Sequence, residues 1–124
     1  MKIDVSNGEL VDKWTILTIK LDHITSPAAL QNIQLEYRLL SEAMEHVPHL
    51  RGEHVGRLLE VNTKLWNVEE ELRAAEHFQL FDSAFVEKAR SVYVLNDERA
   101  CIKRVINEET NSMLIEEKCY DSNK

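Results

Sequence analysis

Four polar side chains interrupt the apolar side of the last long helix-forming stretch, and their types and spacing are the best suited to chemistry. The stretch runs from Phe85 to Tyr120 and reads FVEKARSVYVLNDERACIKRVINEETNSMLIEEKCY. At roughly 100° per residue, Phe85, Ala89, Val92, Tyr93 and Ala100 share one broad face, with Ile102 and Ile106 on its flank. Asn96 falls near the middle of that face, and Arg99, Lys103 and Asn107 follow on the same side. Arg and Lys grip carboxylates or phosphates, while two amides can orient hydroxyls. Glu69, Asn62 and Lys13 are the candidate facing groups, Glu69 as general base or ion-pair partner. Burying an unpaired amide costs about 1–3 kcal/mol, and an unpaired charge costs more. These side chains must therefore pair internally, reach solvent at an open end, or bind something.

No established reaction motif accompanies them. The chain has no P-loop, no GxGxxG, no GxSxG and no HExxH. Glu69-Glu70-Glu71 and Glu108-Glu109 resemble the acidic pairs of helical magnesium-dependent nucleotide hydrolases, but the second motif on a facing helix is missing. His46, His49 and His54 gather with Glu45 and Glu53 around a break, in a spacing that matches no metal-ligand pattern. No metal and no cofactor is expected. Cys101 and Cys119 form no CxxC pair and read as small, half-buried free thiols.

Positioning such groups falls to helices. The 124 residues are enough for one domain with its own core, spanning residues 1–124. An apolar fraction of 44% with 30% charged residues argues against wholesale disorder, and three glycines and two prolines favour helix over sheet. The formal charge of −7 disfavours nucleic acid and anionic membrane as general partners, since both need a cationic surface. MKIDVSNGEL lacks a signal-like apolar run, and no stretch approaches the roughly 20 apolar residues that cross a bilayer. A cytoplasmic location follows by default.

Lys2 to Ser6 alternate apolar and polar, which predicts a short extended segment. Ser6-Asn7-Gly8-Glu9 fits a capping box opening a first helix from about Gly8 to Thr25. Its apolar row is Leu10, Trp14, Leu17, Leu21 and Ile24. Ser26-Pro27 caps and starts a second helix to about Val47, carrying Leu30, Ile33, Tyr37, Leu40 and Met44. A third, from about His54 to Glu76, carries Leu58, Val61, Leu65, Val68, Leu72 and Ala75, widened by Leu59 and Trp66. Asn62 and Glu69 lie between its main row and Trp66, where a carboxylate needs a cation such as Lys13, Arg99 or Lys103. Asp82 caps a fourth helix to about Glu109. The expected fold is all-α: a compact bundle of about four helices in two antiparallel hairpins. The terminal MLIEEKCY is expected to lie extended beside residues 2–6, pairing the two ends. The wide apolar rows leave room for a homodimer.

Several long segments resemble a family of small bacterial proteins of unknown function and about this length. They are VSNGELVDKWTILTIKL at 5–21, LWNVEEELR at 65–73, FVEKARSVYVLNDERACIKRVIN at 85–107 and LIEEKCY at 114–120. Trp14 stands where that family usually has Leu, Cys119 where it has Ser, and Asn111 where it has Gly. Asn tolerates a left-handed turn better than most residues. The resemblance implies genes set near enzymes that assemble surface polysaccharide. It transfers no catalytic residue.

Two functions follow. The first is a non-enzymatic interaction or accessory protein, holding a protein partner or itself, and the resemblance points to surface-glycan assembly as its setting. The second is a small helical enzyme or binding protein for an anionic small molecule such as a sugar phosphate, nucleotide sugar or carboxylate. Mutases of the chorismate type use charged side chains in a bundle core in this manner, although no motif of theirs is present.

Overall fold

The computed structural model describes residues 1–118. It contains four helices, α1 (Asn7–His23), α2 (Pro27–Met44), α3 (Gly52–His77) and α4 (Ser83–Glu109). They form the two expected hairpins, α1 with α2 and α3 with α4, and α1 also packs on both α3 and α4. None is long and apolar enough to cross a membrane.

The boundaries follow local chemistry. Ser6 caps α1, its hydroxyl accepting from the Glu9 N–H at 3.0 Å. The return half of the capping box is absent: the Glu9 carboxylate turns instead to Lys103 and Lys13. Pro27 starts α2 without a hydrogen bond from the Ser26 side chain. Asp82 caps α4 by accepting from the Phe85 N–H. Asn111 ends the α4 turn at φ 56°, a left-handed conformation that Asn adopts with less penalty than most residues.

The core is Val11, Leu58, Val61, Leu65, Ile102 and Ile106, with Met44, Leu50, Val55, Val92 and Leu95 packed around it. Ile102 and Ile106 therefore centre the buried side of α4, where a flank was expected. Tyr93, expected inside, is 54% exposed. The extended tail meets α1 at its cap, where the Ser6 hydroxyl donates to Glu116 at 2.7 Å. No β-ladder joins it to residues 2–5; among the described residues there is no strand. The tail's last two residues, Cys119 and Tyr120, lie outside the described residues. Cys101 is exposed, not half-buried.

Two departures from a simple bundle matter for function. First, α1 is buried on two sides. Trp14 stacks on Tyr37 and donates its indole N–H to Ser41 of α2. A second face, centred on Thr15 about 100° away, carries Val11, Asp12 and Ile19 into α3 and α4, and all four are buried. Second, the α3–α4 hairpin outruns α1. α1 has 17 residues against 26 and 27, or roughly 26 Å against 40 Å at 1.5 Å per residue. It ends with His23 against Trp66. From there to Leu95 the hairpin projects as a two-helix arm in which no residue is fully buried.

Candidate functional site

The polar groups of α4 meet α1 as antiparallel rungs. Asn107 lies opposite Gly8, Lys103 opposite Glu9, and Arg99 opposite Asp12. At the first rung the Asn107 Oδ1 accepts from the Gly8 N–H at 2.6 Å, and its Nδ2 donates to Glu116 at 3.1 Å. The Asn7 N–H donates to Ser112, and the Glu9 N–H to Ser6. The first three helical N–H groups of α1, which an isolated helix leaves orphaned, thus all have acceptors. At the second rung Lys103 pairs with Glu9.

The third rung carries the most electrostatic weight. Asp12 is 0% exposed. Its carboxylate accepts from Arg99 Nε at 2.8 Å and from Arg99 Nη2, and Asn62 of α3 donates to the same Oδ1 at 2.9 Å. The same Asn62 nitrogen reaches the Thr15 hydroxyl at 2.8 Å, and that hydroxyl donates to the Asp12 carbonyl oxygen. Burial alone would raise the Asp12 carboxyl. The hydrogen bonds from Arg99 and Asn62, and the charges of Arg99 and Lys103, outweigh it and hold the group below the ordinary carboxylate value. The hydrogen bond to Asp12 likewise raises Arg99, against the opposing effect of burial.

A pH dependence follows, with a definite sign. A carboxyl lower in the folded state than in the unfolded state stabilises above the unfolded value, and that contribution disappears as pH falls through the folded value. The urea midpoint should therefore fall below about pH 4, where a free Asp begins to protonate. Asp12→Asn should flatten that slope; an unchanged slope would remove Asp12 from the account.

Beside this network lies a cleft of about 280 Å³ between α1, α3 and α4. Asn62, Asn96 and Arg99 line its polar side; Ile16, Ile19, Leu65 and Trp66 line the other, and Glu69 stands at the rim. Asn96 accepts weakly from Arg99 Nη1, at 3.4 Å. A smaller recess continues past Asn96 and Arg99 to Lys103. The Trp66 indole N–H is buried without an acceptor among the described residues.

Five of the seven residues read from sequence thus gather here: Asn62, Glu69, Asn96, Arg99 and Lys103. Asn107 does not; it is 1% exposed and spent on Gly8 and Glu116. Lys13 stays outside, half-exposed and 3.7 Å from Glu9 on its own helix. Glu69 needs no buried cation, because it is exposed where α1 has ended. The residues missed are Asp12, Glu9 and Gly8, which supply the opposite half of every rung. Their signal was an acid pair three residues apart, opposite cations four residues apart. Of the three histidines, His54 is buried and bonded to Glu109 at 2.8 Å, while His46 and His49 are exposed. Among the described residues no group of His, Cys, Asp and Glu is placed to hold a metal ion.

The arm offers a different surface. An open groove of about 670 Å³ runs along it, with Val68, Tyr93, Val94 and Leu95 on its floor and Lys64, Arg90, Glu71 and Glu87 around it. Val86 and Val94 are exposed on α4, as are Phe78, Leu80 and Phe81 at the tip.

No curated protein and no solved structure matches the chain. A family model matches it over residues 1–124. The chain belongs to DUF6165, a family of unknown function.

Proposed function

We propose that this is a cytoplasmic, non-enzymatic interaction protein that docks on a protein partner through the projecting α3–α4 arm. One observation carries the reading: the arm runs on past the end of α1, has apolar residues on both helices and at its tip, and among the described residues buries none of them fully. Contiguous exposed apolar surface of this kind marks interaction sites on soluble proteins. A two-helix arm completes a core most economically against two more helices, as in a four-helix bundle. The arm of a second copy supplies them, and the groove's two cations, Lys64 and Arg90, match its two acids, Glu71 and Glu87, in number, so a like surface meets no excess of one charge. The polar network favours a non-catalytic role. A general acid or base works best with a pKa near the operating pH, whereas Asp12 is held low and Glu9 is tied to Lys103. The family resemblance places enzymes of surface-glycan assembly first among other partners to test.

The test is capture of tagged wild type and Val94→Glu from the native host, with each protein's mass in solution measured alongside. Wild type should return a stoichiometric companion, a second copy or another protein. Val94→Glu, with its helical spectrum intact, should weaken that contact by at least about 2 kcal/mol, roughly thirty-fold. Recovery of both proteins alone and monomeric would overturn the reading.

A further inference from the structure

We propose that the cleft between α1, α3 and α4 is a binding site for a small monocarboxylate with an apolar or aromatic body, gripped by Arg99. The site lies at the base of the arm, shares no lining residue with the arm's groove, and stands whether or not that groove docks a partner.

The first observation is a hydrogen-bond count. A guanidinium carries five N–H donors. Asp12 takes one from Nε and one from Nη2, and Asn96 accepts weakly from one on Nη1. One hydrogen on Nη1 and one on Nη2 remain, and among the described residues nothing accepts them. Arg99 lines the cleft. Its plane is already fixed by a fully buried carboxylate, itself held by Asn62. A ligand therefore meets an arginine whose rotamer freedom has been removed in advance, which lowers the cost of binding. Two N–H groups on adjacent nitrogens match the two oxygens of a carboxylate.

The second observation is the charge of the surroundings. Asp12 balances Arg99, and Glu9 balances Lys103. Glu69 adds a negative charge at the rim, and Lys118 lines the adjoining recess with Lys103, not the cleft itself. This balance tolerates one added negative charge held by a direct bidentate contact and works against two, so a carboxylate fits better than a phosphate dianion.

The third is shape. Besides Arg99, Asn62, Asn96 and Glu69, the lining is Ile16, Ile19, Leu65 and Trp66, apolar apart from one indole N–H. A volume of about 280 Å³ lies just under the range typical of drug-sized ligands, so the body is that of a small metabolite.

The experiment uses the full chain carrying Trp14→Phe, which leaves Trp66, on the cleft wall, as the only tryptophan. Its fluorescence is titrated with 3-phenylpropionate, with 4-methylpentanoate, with the uncharged 3-phenylpropan-1-ol and with inorganic phosphate. Saturable responses to the two acids are expected, with the alcohol and phosphate at least about ten-fold weaker. Arg99→Lys keeps a cation against Asp12 but removes the fork, and should weaken the acids by a similar factor. Should that variant fail to fold, Asn96→Phe fills the cleft without touching the Asp12–Arg99 contact and should abolish the response. The proposal is overturned by no saturable response to either acid, by an equal response to the alcohol or to phosphate, or by acid binding that survives Asn96→Phe.

Discussion

Replacing Arg99 by alanine lowers the unfolding free energy by about 3–5 kcal/mol, the usual cost of stranding one member of a buried ion pair. The partner left behind is the reason. Asp12 is wholly enclosed and keeps one side-chain hydrogen bond, from Asn62, with only the charge of Lys103, itself engaged with Glu9, to help it. Burial then dominates, and the Asp12 carboxyl rises above its ordinary value. The sign of the pH dependence reverses with it. An acid raised in the folded state binds more protons folded than unfolded between the unfolded value and the raised one, so the variant gains stability as pH falls towards about pH 4, whereas wild type loses it below that. Removing Asp12 as well relieves the stranded charge, so Asp12→Ala/Arg99→Ala should be more stable than Arg99→Ala alone. Asp12→Ala by itself should cost less, since the Arg99 side chain is 29% exposed and can turn to water. Urea unfolding of the four proteins between pH 3 and 8 decides the matter. A double variant no better than Arg99→Ala would refute the account.

Gly8→Ala destabilises by at least about 2 kcal/mol, although alanine is the better helix former by about 0.8–1.0 kcal/mol. Gly8 lies within α1 at an ordinary negative φ, so conformation is not the obstacle. Space is. A Cβ there would sit 2.5 Å from the Lys103 carbonyl oxygen and 3.0 Å from the Asn107 Oδ1. The nearer atom is backbone and cannot rotate away, so α1 must back off from α4. Every rung loosens when it does: Gly8 with Asn107, Glu9 with Lys103, Asp12 with Arg99. The internal controls are Gly52→Ala and Gly56→Ala, both in α3, where a Cβ meets nothing within 4 Å. Those should be neutral or slightly stabilising. Thermal unfolding of the three variants separates the effects; Gly8→Ala as stable as Gly56→Ala would end the explanation.

The helices were legible in the sequence because three-and-four spacing, Ser6, Pro27, Asp82 and Asn111 are local signals. The intrusion of Asn96, Arg99 and Lys103 on α4 was legible for the same reason: it breaks a local pattern. Their partners were not. Reading one apolar row per helix assumes one buried face, and α1 has two. Asp12 and Thr15 sit away from the Trp14–Leu21 row, so they read as solvent-facing, and only packing three helices together encloses them. Tyr93 was misplaced by the converse error. It lines the open groove beside Val68, Val94 and Leu95 and is 54% exposed, at the edge of the face that Asn96 and Arg99 turn to α1. A broad face read from periodicity does not show where its buried part ends.

The bond from Ser6 to Glu116 sets the order in which the molecule can assemble. It spans 110 positions, and closing a loop that long costs roughly 4 kcal/mol of chain entropy by (3/2)RT ln n. The α3–α4 hairpin, joined by a short turn, closes far more cheaply and forms from neighbouring residues. On a ribosome α1 emerges ahead of α2, α3 and α4 and is therefore among the last of the four to be secured, since its capping partners in the tail have yet to be translated.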